Sequence, residues 1–202
     1  MVLHGYWRSG ASYRVRIGLN LKGVDYSQVG RDLRKNEQKS PDFLALNPQG
    51  LTPTLVDGDL VLSQSPAILE WLEESRPEPP LLPAGSAERA QVRAMAALIG
   101  CDIHPLNNLR VLRTIRAEFD ADQASVDAWA QRWIIQGFDA LEVLVGRYGQ
   151  GWSFGDAPAL STATSFNLGM EAWPRLMAIG EQAALHPAFQ AAHPDVQPDA
   201  DG

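Results

Sequence analysis

The sequence predicts an α/β first part joined to an all-helical second part. Three observations carry that expectation. Up to Ser75, short apolar segments alternate with turns and with one well-capped helical stretch. The run RPEPPLLPAGS, Arg76 to Ser86, then holds four of the chain's fourteen prolines. Proline removes a backbone donor and disfavours helix in the residue before it, so this run is a linker. Beyond it, apolar residues recur at helical spacing.

Taken in order, VLHGY reads as a short strand. SYRVRIGLNLKG reads two ways. Val15, Ile17, Leu19 and Leu21 alternate with polar residues or glycine, which favours a strand; the preceding cap residues and Gly23 as a stop favour a crossover helix. VDYSQVGRDL offers a second strand. TPTLVDGDLVLS is a hairpin with its turn at Asp57-Gly58. SPAILEWLEES is a helix with Ser65 as N-cap, Pro66 in the first helical position and Ile68, Leu69 and Leu72 as its apolar stripe. After the linker, SAERAQVRAMAALIGCDIHPLNNLRVLRTIRAEF is helical, with a kink expected at Pro105. SVDAWAQRWIIQGFDALEVLVGRYG starts at a cap on Ser125 and sets Trp129, Trp133, Gly137, Leu141 and Leu144 near one core-facing side. Leu176 to Leu185 and Pro187 to His193 form two shorter helices, and PDVQPDADG reads as a frayed tail.

Composition narrows the function. At 202 residues, 45% hydrophobic and 20% charged, the chain suits one large domain or two small ones with a real core. No apolar run approaches the ~20 residues that span a bilayer, and MVLHGYWRSG lacks the pattern of a signal peptide. The net charge of −7 argues against nucleic acid or an anionic membrane as partner; an anionic small substrate stays open, since a few arginines can dominate a pocket. His4, His104, His186 and His193 are scattered without metal-ligand spacing, so no metal site is expected. The lone cysteine, Cys101, fits a reducing compartment. It lies in an apolar helical stretch and is expected in the core.

Two junctions could carry chemistry. In WRSGAS, Ser9 to Ser12 sit where a strand hands over to the next element. If that element is a helix, its free N–H groups and positive dipole end attract an anion. A thiolate is one such anion, because helix N-termini and hydroxyl donors lower thiol pKa. The plainer reading is that both serines only cap. In SQSPAI, Ser65 as a cap would offer a hydroxyl and a backbone N–H to a carboxylate, with Gln64 beside it for an amino-acid head group. Between them, Thr52-Pro53 in NPQGLTPTL stands where a cis bond would expose main-chain groups to an extended peptide.

WRSGASYRVRIGLNLKGV, ALNPQGLTPTL, LSQSPAILEWLEE and CDIHPLNNLRVL, in that order, resemble the zeta class of glutathione S-transferases, the group that contains maleylacetoacetate and maleylpyruvate isomerases. The resemblance runs from the N-terminus to Asp156. It implies a thioredoxin-like α/β domain over 1–78, a linker over 79–83 and an all-helical substrate-binding domain over 84–202, with glutathione as cofactor. It also implies that SYRVRIGLNLKG is helical. By the family's motif, Ser9 would hydrogen-bond the glutathione sulfur and Thr52, before a cis-Pro53, would pair with the glutathione main chain. Gln64 and Ser65 would hold the γ-glutamyl end and Gln38 would lie near the glycyl side. His104 and Asn108 would come from the helical domain, with His104 orienting the ligand or relaying a proton. A cytoplasmic homodimer is the family expectation.

The chain departs from the family at two places. Ser9-Gly10-Ala11 stands where serine-serine-cysteine or serine-serine-alanine is usual, and Ser161-Thr162-Ala163-Thr164 replaces a Ser/Thr-x-x-Asp capping pattern in a stretch, to Trp173, that is shorter than usual. Arg8 adjoins the sulfur site and Arg110 follows His104 and Asn108. Guanidinium forks match carboxylates bidentately, so the two suit a dicarboxylate. The implied reaction is cis–trans isomerisation by reversible addition of the thiolate: Ser9 keeps the thiol ionised, and Arg8 and Arg110 orient both carboxylates and stabilise the enolate. The alternatives are a transferase that conjugates or dehalogenates small electrophilic acids, and a non-catalytic glutathione-binding interaction module.

Overall fold

A computed structural model describes residues 1–158 and 172–201. The chain divides into two compact units, Met1–Leu81 with Ala183–Gly202, and Leu82–Gln182. The last twenty residues therefore pack with the first unit, whereas the sequence assigned everything after 84 to the helical part.

The first unit is built on four strands: β1 (Val2–Gly5), β2 (Ser27–Gly30), β3 (Thr54–Asp57) and β4 (Leu60–Ser63), in the order β2-β1-β3-β4. β1 and β2 are parallel and β3 is antiparallel to both of its neighbours β1 and β4. A parallel pair needs a crossover, and α1 (Gly10–Leu21) supplies it. SYRVRIGLNLKG is thus a helix. Ser9 caps its start. At its end Gly23, at φ +62°, closes a Schellman turn, with the Val24 N–H on Leu19 O and the Gly23 N–H on Asn20 O. The alternation misleads because Arg14 and Arg16, between the apolar residues, are buried too.

In the hairpin Asp57 pairs with Leu60, which moves the turn one residue on, to Gly58-Asp59; Gly58 has φ +60°, the glycine-first pattern of a type II′ turn. α2 (Pro41–Leu46) buries Phe43, and α3 (Ser65–Ser75) buries Ile68, Leu69 and Leu72 as expected. Its N-cap is Gln64 rather than Ser65, which occupies the first helical position. α1 packs against α3 so closely that a Cβ on Gly18 would lie 2.3 Å from Leu69 Cδ2. The linker is not a bare spacer: Leu81 and Leu82 are buried. Glu73 ties the linker down, accepting the Leu81 N–H at 2.9 Å and pairing with Lys22 at 2.6 Å.

α9 (Pro187–Ala192) lies against α1, and Asn20 donates to Ala188 O. The residues after it are not frayed. Gln197 is buried and its amide donates to Ala191 O and His193 O, which folds the tail back beneath α9.

The second unit is helical. α4 (Ser86–Ala97) runs into a π-helical turn over Leu98–Ile103, followed by α5 (His104–Leu106) and, after a break at Asn107, α6 (Leu109–Glu118). Pro105 has no N–H to give the carbonyl of residue 101, and the ladder yields there. The turn keeps Ile99 and Ile103 inward and leaves Cys101 exposed, so the expectation of a core cysteine is corrected. α7 (Gln123–Tyr148) is capped by Asp122, whose carboxylate accepts the Ser125 N–H; Ser125 itself is not the cap. Hydrogen bonds from Ser125 lower the Asp122 pKa. Ile134, Phe138, Leu141 and Val145 join Met95, Ile99, Ile103, Trp173 and Leu176 in one core. Trp129 and Trp133 are half-buried and meet edge to face at 5.6 Å. α8 (Pro174–Leu185) starts on the Glu142 carboxylate, which accepts the N–H groups of Arg175 and Leu176. The STAT stretch lies outside the described residues. Among the described residues no helix is long and apolar enough to cross a membrane.

Candidate active site

Strand register decides what meets in the first unit. His4 of β1 pairs with Thr54 of β3, and Thr54 pairs with Ser63 of β4. The residues leaving β1, entering β3 and leaving β4 therefore share one end of the sheet. Those residues are Trp7 to Ser9, Thr52-Pro53 and Gln64-Ser65. A pattern scattered over more than fifty positions becomes one surface.

Ser9 has extended backbone and half-buried exposure. Its N–H donates to Tyr6 O at 2.9 Å and its Oγ accepts the Ser12 N–H at 3.2 Å. Ser12 is fully buried, and its Oγ accepts the Tyr6 N–H. The two serines do cap, as the plainer reading has it, but not equally. Ser12 is sealed inside the turn. Ser9, with its oxygen already accepting, keeps its hydroxyl proton to donate outward, beside the unpaired N–H groups of the first turn of α1. Arg8 is exposed, its guanidinium 5.4 Å from the Trp7 ring centroid.

The Thr52-Pro53 peptide is cis. The loop before it is organised by Asn47, which is buried. Its amide nitrogen donates to Leu51 O at 2.8 Å and Thr54 Oγ1 at 3.1 Å, and its oxygen accepts the Gln49 N–H. Gly50 makes the tight bend at φ +61°, where a Cβ would lie 2.8 Å from Gln38 O. That contact brings the short helical turn Glu37–Lys39 against the loop. Gln38 is buried and its Oε1 has no partner within the protein. Gln64, exposed and at φ 68°, donates from Nε2 to Gln49 Oε1 at 2.6 Å. A non-glycine residue in that region is held by its surroundings.

Ser65 takes a different part from the one its pattern suggests. It is 3% exposed, and its Oγ accepts from Arg14 Nη1 at 2.8 Å. Arginine only donates, so the Ser65 hydroxyl proton must go to another acceptor. Arg14 is one of three residues near this end of the sheet that sequence reasoning missed; the others are Asn47 and Arg16. Their signal was weak: arginine at alternate positions reads as a solvated face. Arg16 is fully buried, and burial lowers its guanidinium to about 10. His4, on β1, is held below its ordinary pKa by burial and then by Arg31, while Asp42 pulls the other way.

The second unit holds the other three candidates. His104 opens α5 and is half-buried. Asn108 is the N-cap of α6, its Oδ1 accepting the Arg110 N–H at 3.1 Å. Arg110 is exposed in the first turn of α6.

The donors at this end of the first unit's sheet suit an anion at the head of α1. The family model of the glutathione S-transferase N-terminal domain matches residues 8–75. The chain is 46% identical over 214 residues to a maleylpyruvate isomerase of a Ralstonia species, covering 98% of this chain and 99% of that protein. The holo structure of a maleylpyruvate isomerase, a bacterial zeta-class glutathione S-transferase, superposes with a TM-score of 0.96 at 45% identity over the whole of both chains. The maleylacetoacetate isomerase of Methylobacterium extorquens AM1, with bound malonate and GSH, has a TM-score of 0.94 at 36% identity, again over both whole chains. The chain belongs to the glutathione S-transferase family. Within that family its place is the zeta class.

Proposed function

We propose that the chain is a glutathione-dependent cis–trans isomerase converting maleylpyruvate or maleylacetoacetate to the fumaryl isomer. One observation carries this reading. Ser9, the Thr52–cis-Pro53 main chain and Ser65 meet at one end of the sheet, in a chain alike over its length to isomerases, one of which holds GSH together with a dicarboxylate.

Glutathione, when bound, supplies the thiolate that adds to the cis double bond and leaves again once the bond has turned. The Ser9 hydroxyl and the first N–H groups of α1 hold the sulfur as an anion. Thr52 pairs with the main chain of the peptide, Gln64 and Ser65 take its γ-glutamyl carboxylate, and Gln38 lies near the glycyl side. Asn108 offers its amide nitrogen, since its oxygen caps α6, and His104 orients the ligand. Arg8 and Arg110 each offer a guanidinium fork for a substrate carboxylate and for the negative charge of the enolate. Nothing here requires a protein general base. The reading includes a cytoplasmic homodimer, supported by the family resemblance and by a lone, exposed thiol suited to a reducing compartment.

Ultraviolet-monitored turnover of maleylpyruvate and maleylacetoacetate, with and without glutathione, tests it. Expected is glutathione-dependent conversion with glutathione undiminished. Ser9→Ala lowers kcat/KM by about 10²-fold, the scale of one lost oxyanion-type donor, and Arg110→Ala raises substrate KM. A folded, glutathione-binding protein that converts neither compound overturns the isomerase reading and turns the search to conjugation or halide displacement.

A further inference from the structure

The C-terminal tail reaches the turn that carries Ser9. The Asp199 carboxylate accepts the Trp7 N–H on Oδ2 at 3.0 Å and the Gln28 amide on Oδ1 at 2.7 Å. The other main-chain polar group of Trp7 is held from the same segment by a relay. Arg16 Nη2 donates to Trp7 O at 3.0 Å, while its Nε donates to Ala192 O, at the end of α9, at 2.9 Å. The Trp7 N–H is thus fixed by a residue 192 positions away, and its carbonyl by Arg16, which is itself anchored on Ala192 O. Trp7 precedes Arg8 and lies two residues before Ser9.

The tail is built to stay. The Gln197 amide pins the bend to Ala191 O and His193 O, and the Ala200 N–H closes onto Gln197 O. Asp201 pairs with Arg34, which Asp32 also grips through both carboxylate oxygens. Gly30 leaves the room: a Cβ there would lie 2.7 Å from Asp199 Cβ.

We propose that Asp199 is a positioning residue for the reaction, the tail setting where the Ser9 hydroxyl points by clamping Trp7 on its N–H directly and on its carbonyl through Arg16. This rests on reading Ser9 as the sulfur ligand. A hydroxyl that stabilises a thiolate must meet it at hydrogen-bond distance, and a small displacement of the turn weakens that contact steeply. The first turn of α1 and the strand β1 hold the segment from either side, and Asp199 of the tail holds its middle.

The test uses the full chain with Asp199→Ala, Asp199→Asn and Gly30→Ala, beside Ser9→Ala. The readouts are the thiol pKa of bound glutathione by thiolate absorbance, the KM for glutathione and for maleylpyruvate, and amide hydrogen exchange of Trp7 to Ser9 in the ligand-free protein. Asp199→Ala is expected to raise the bound thiol pKa, raise the glutathione KM roughly fivefold, the scale of one ordinary hydrogen bond felt through the turn, and speed exchange at the turn, with the maleylpyruvate KM less affected. Asp199→Asn keeps an acceptor for the Trp7 N–H and restores all three. Gly30→Ala pushes the carboxylate away without deleting it and acts like Asp199→Ala. If Ser9→Ala leaves the thiol pKa and glutathione KM unmoved, the sulfur-site reading fails, and the proposal with it. If Ser9→Ala moves both but Asp199→Ala and Gly30→Ala move neither, the sulfur site stands and the tail is a plain surface anchor. Equal losses in Asp199→Ala and Asp199→Asn also sink the proposal, because charge rather than the clamp would then be at work.

Discussion

Ser65→Ala separates two jobs of one hydroxyl. Ser65 is 3% exposed and Arg14 7%, so neither the serine oxygen nor the guanidinium N–H it accepts at 2.8 Å has ready access to water. Removing the oxygen leaves a charged donor facing a gap. Hydrogen bonds to charged groups contribute about 1.5–3 kcal/mol. At about 2–4 °C per kcal/mol for a chain of this size, Tm falls by about 3–12 °C in the absence of ligand, read by calorimetry. On the proposed reading the hydroxyl proton goes to the γ-glutamyl carboxylate, a second charge-assisted bond of similar strength. Its loss raises the glutathione Kd by about 10- to 150-fold, read by titration calorimetry. Ser65→Thr keeps the oxygen and both effects vanish. Arg14→Met with Ser65→Ala removes donor and acceptor together and recovers most of the stability but none of the affinity. A Ser65→Ala protein with parental Tm would refute the role given to the Arg14 bond. One with lowered Tm and parental Kd would show that the hydroxyl serves the fold alone.

Three further outcomes follow from the same geometry. Glu73→Ala strands Lys22, fully buried and paired at 2.6 Å, and costs about 3–5 kcal/mol in urea melts, whereas Lys22→Met with Glu73→Gln, which keeps an acceptor for the Leu81 N–H, recovers most of it; equal losses in both variants would contradict this. Gly137→Ala lowers Tm although alanine is the better helix former: a Cβ there would lie 2.2 Å from Ile103 Cδ1, and overpacking of about 1–3 kcal/mol outweighs about 1 kcal/mol of helix propensity, so a stabilised variant would refute the close approach. Burial and Arg31 keep the folded-state pKa of His4 below 6.5, so between that pKa and 6.5 the unfolded chain holds more protons there. Stability is then lost as pH falls through this window and is level above it. His4→Gln flattens that limb in denaturant melts between pH 4 and 7, and an unchanged limb would point to another group.

The legible parts of the fold were those whose signal is local. The hairpin announces itself by Gly58 between two apolar runs, the proline run by composition, and α3 by serine, proline and an apolar stripe. What failed needed partners far along the chain. α1 shows no helical period because its polar residues are not on a solvent face: Arg14 reaches Ser65, and Arg16 reaches Trp7 and Ala192. PDVQPDADG is polar enough to fray, and it is held by hydrogen bonds and ion pairs to β2, Trp7 and Arg34 that no window of sequence contains. Cys101 looked buried because its neighbours are apolar, but a π-turn advances the register and turns it outward.

Site residues were legible as residue types and not as roles, because a serine before a helix has the same signature whether it caps or binds. Hydrogen-bond direction is what tells the two apart. Ser9 and Ser65 both use their oxygen to accept, from the Ser12 N–H and from Arg14, and each keeps its hydroxyl proton to give. A serine prepared as a nucleophile is arranged the other way, its proton donated to a neighbouring base and its oxygen left open. These two hydroxyls lie at the end of the sheet where α1 and α3 begin, and the dipoles of both helices add to them. The chain thus presents protons to a ligand that must bring the negative charge and the nucleophile itself. A thiol-bearing peptide with a carboxylate at its far end meets both demands, which is why the chemistry of this turn asks for a cofactor and not for a catalytic cysteine of its own.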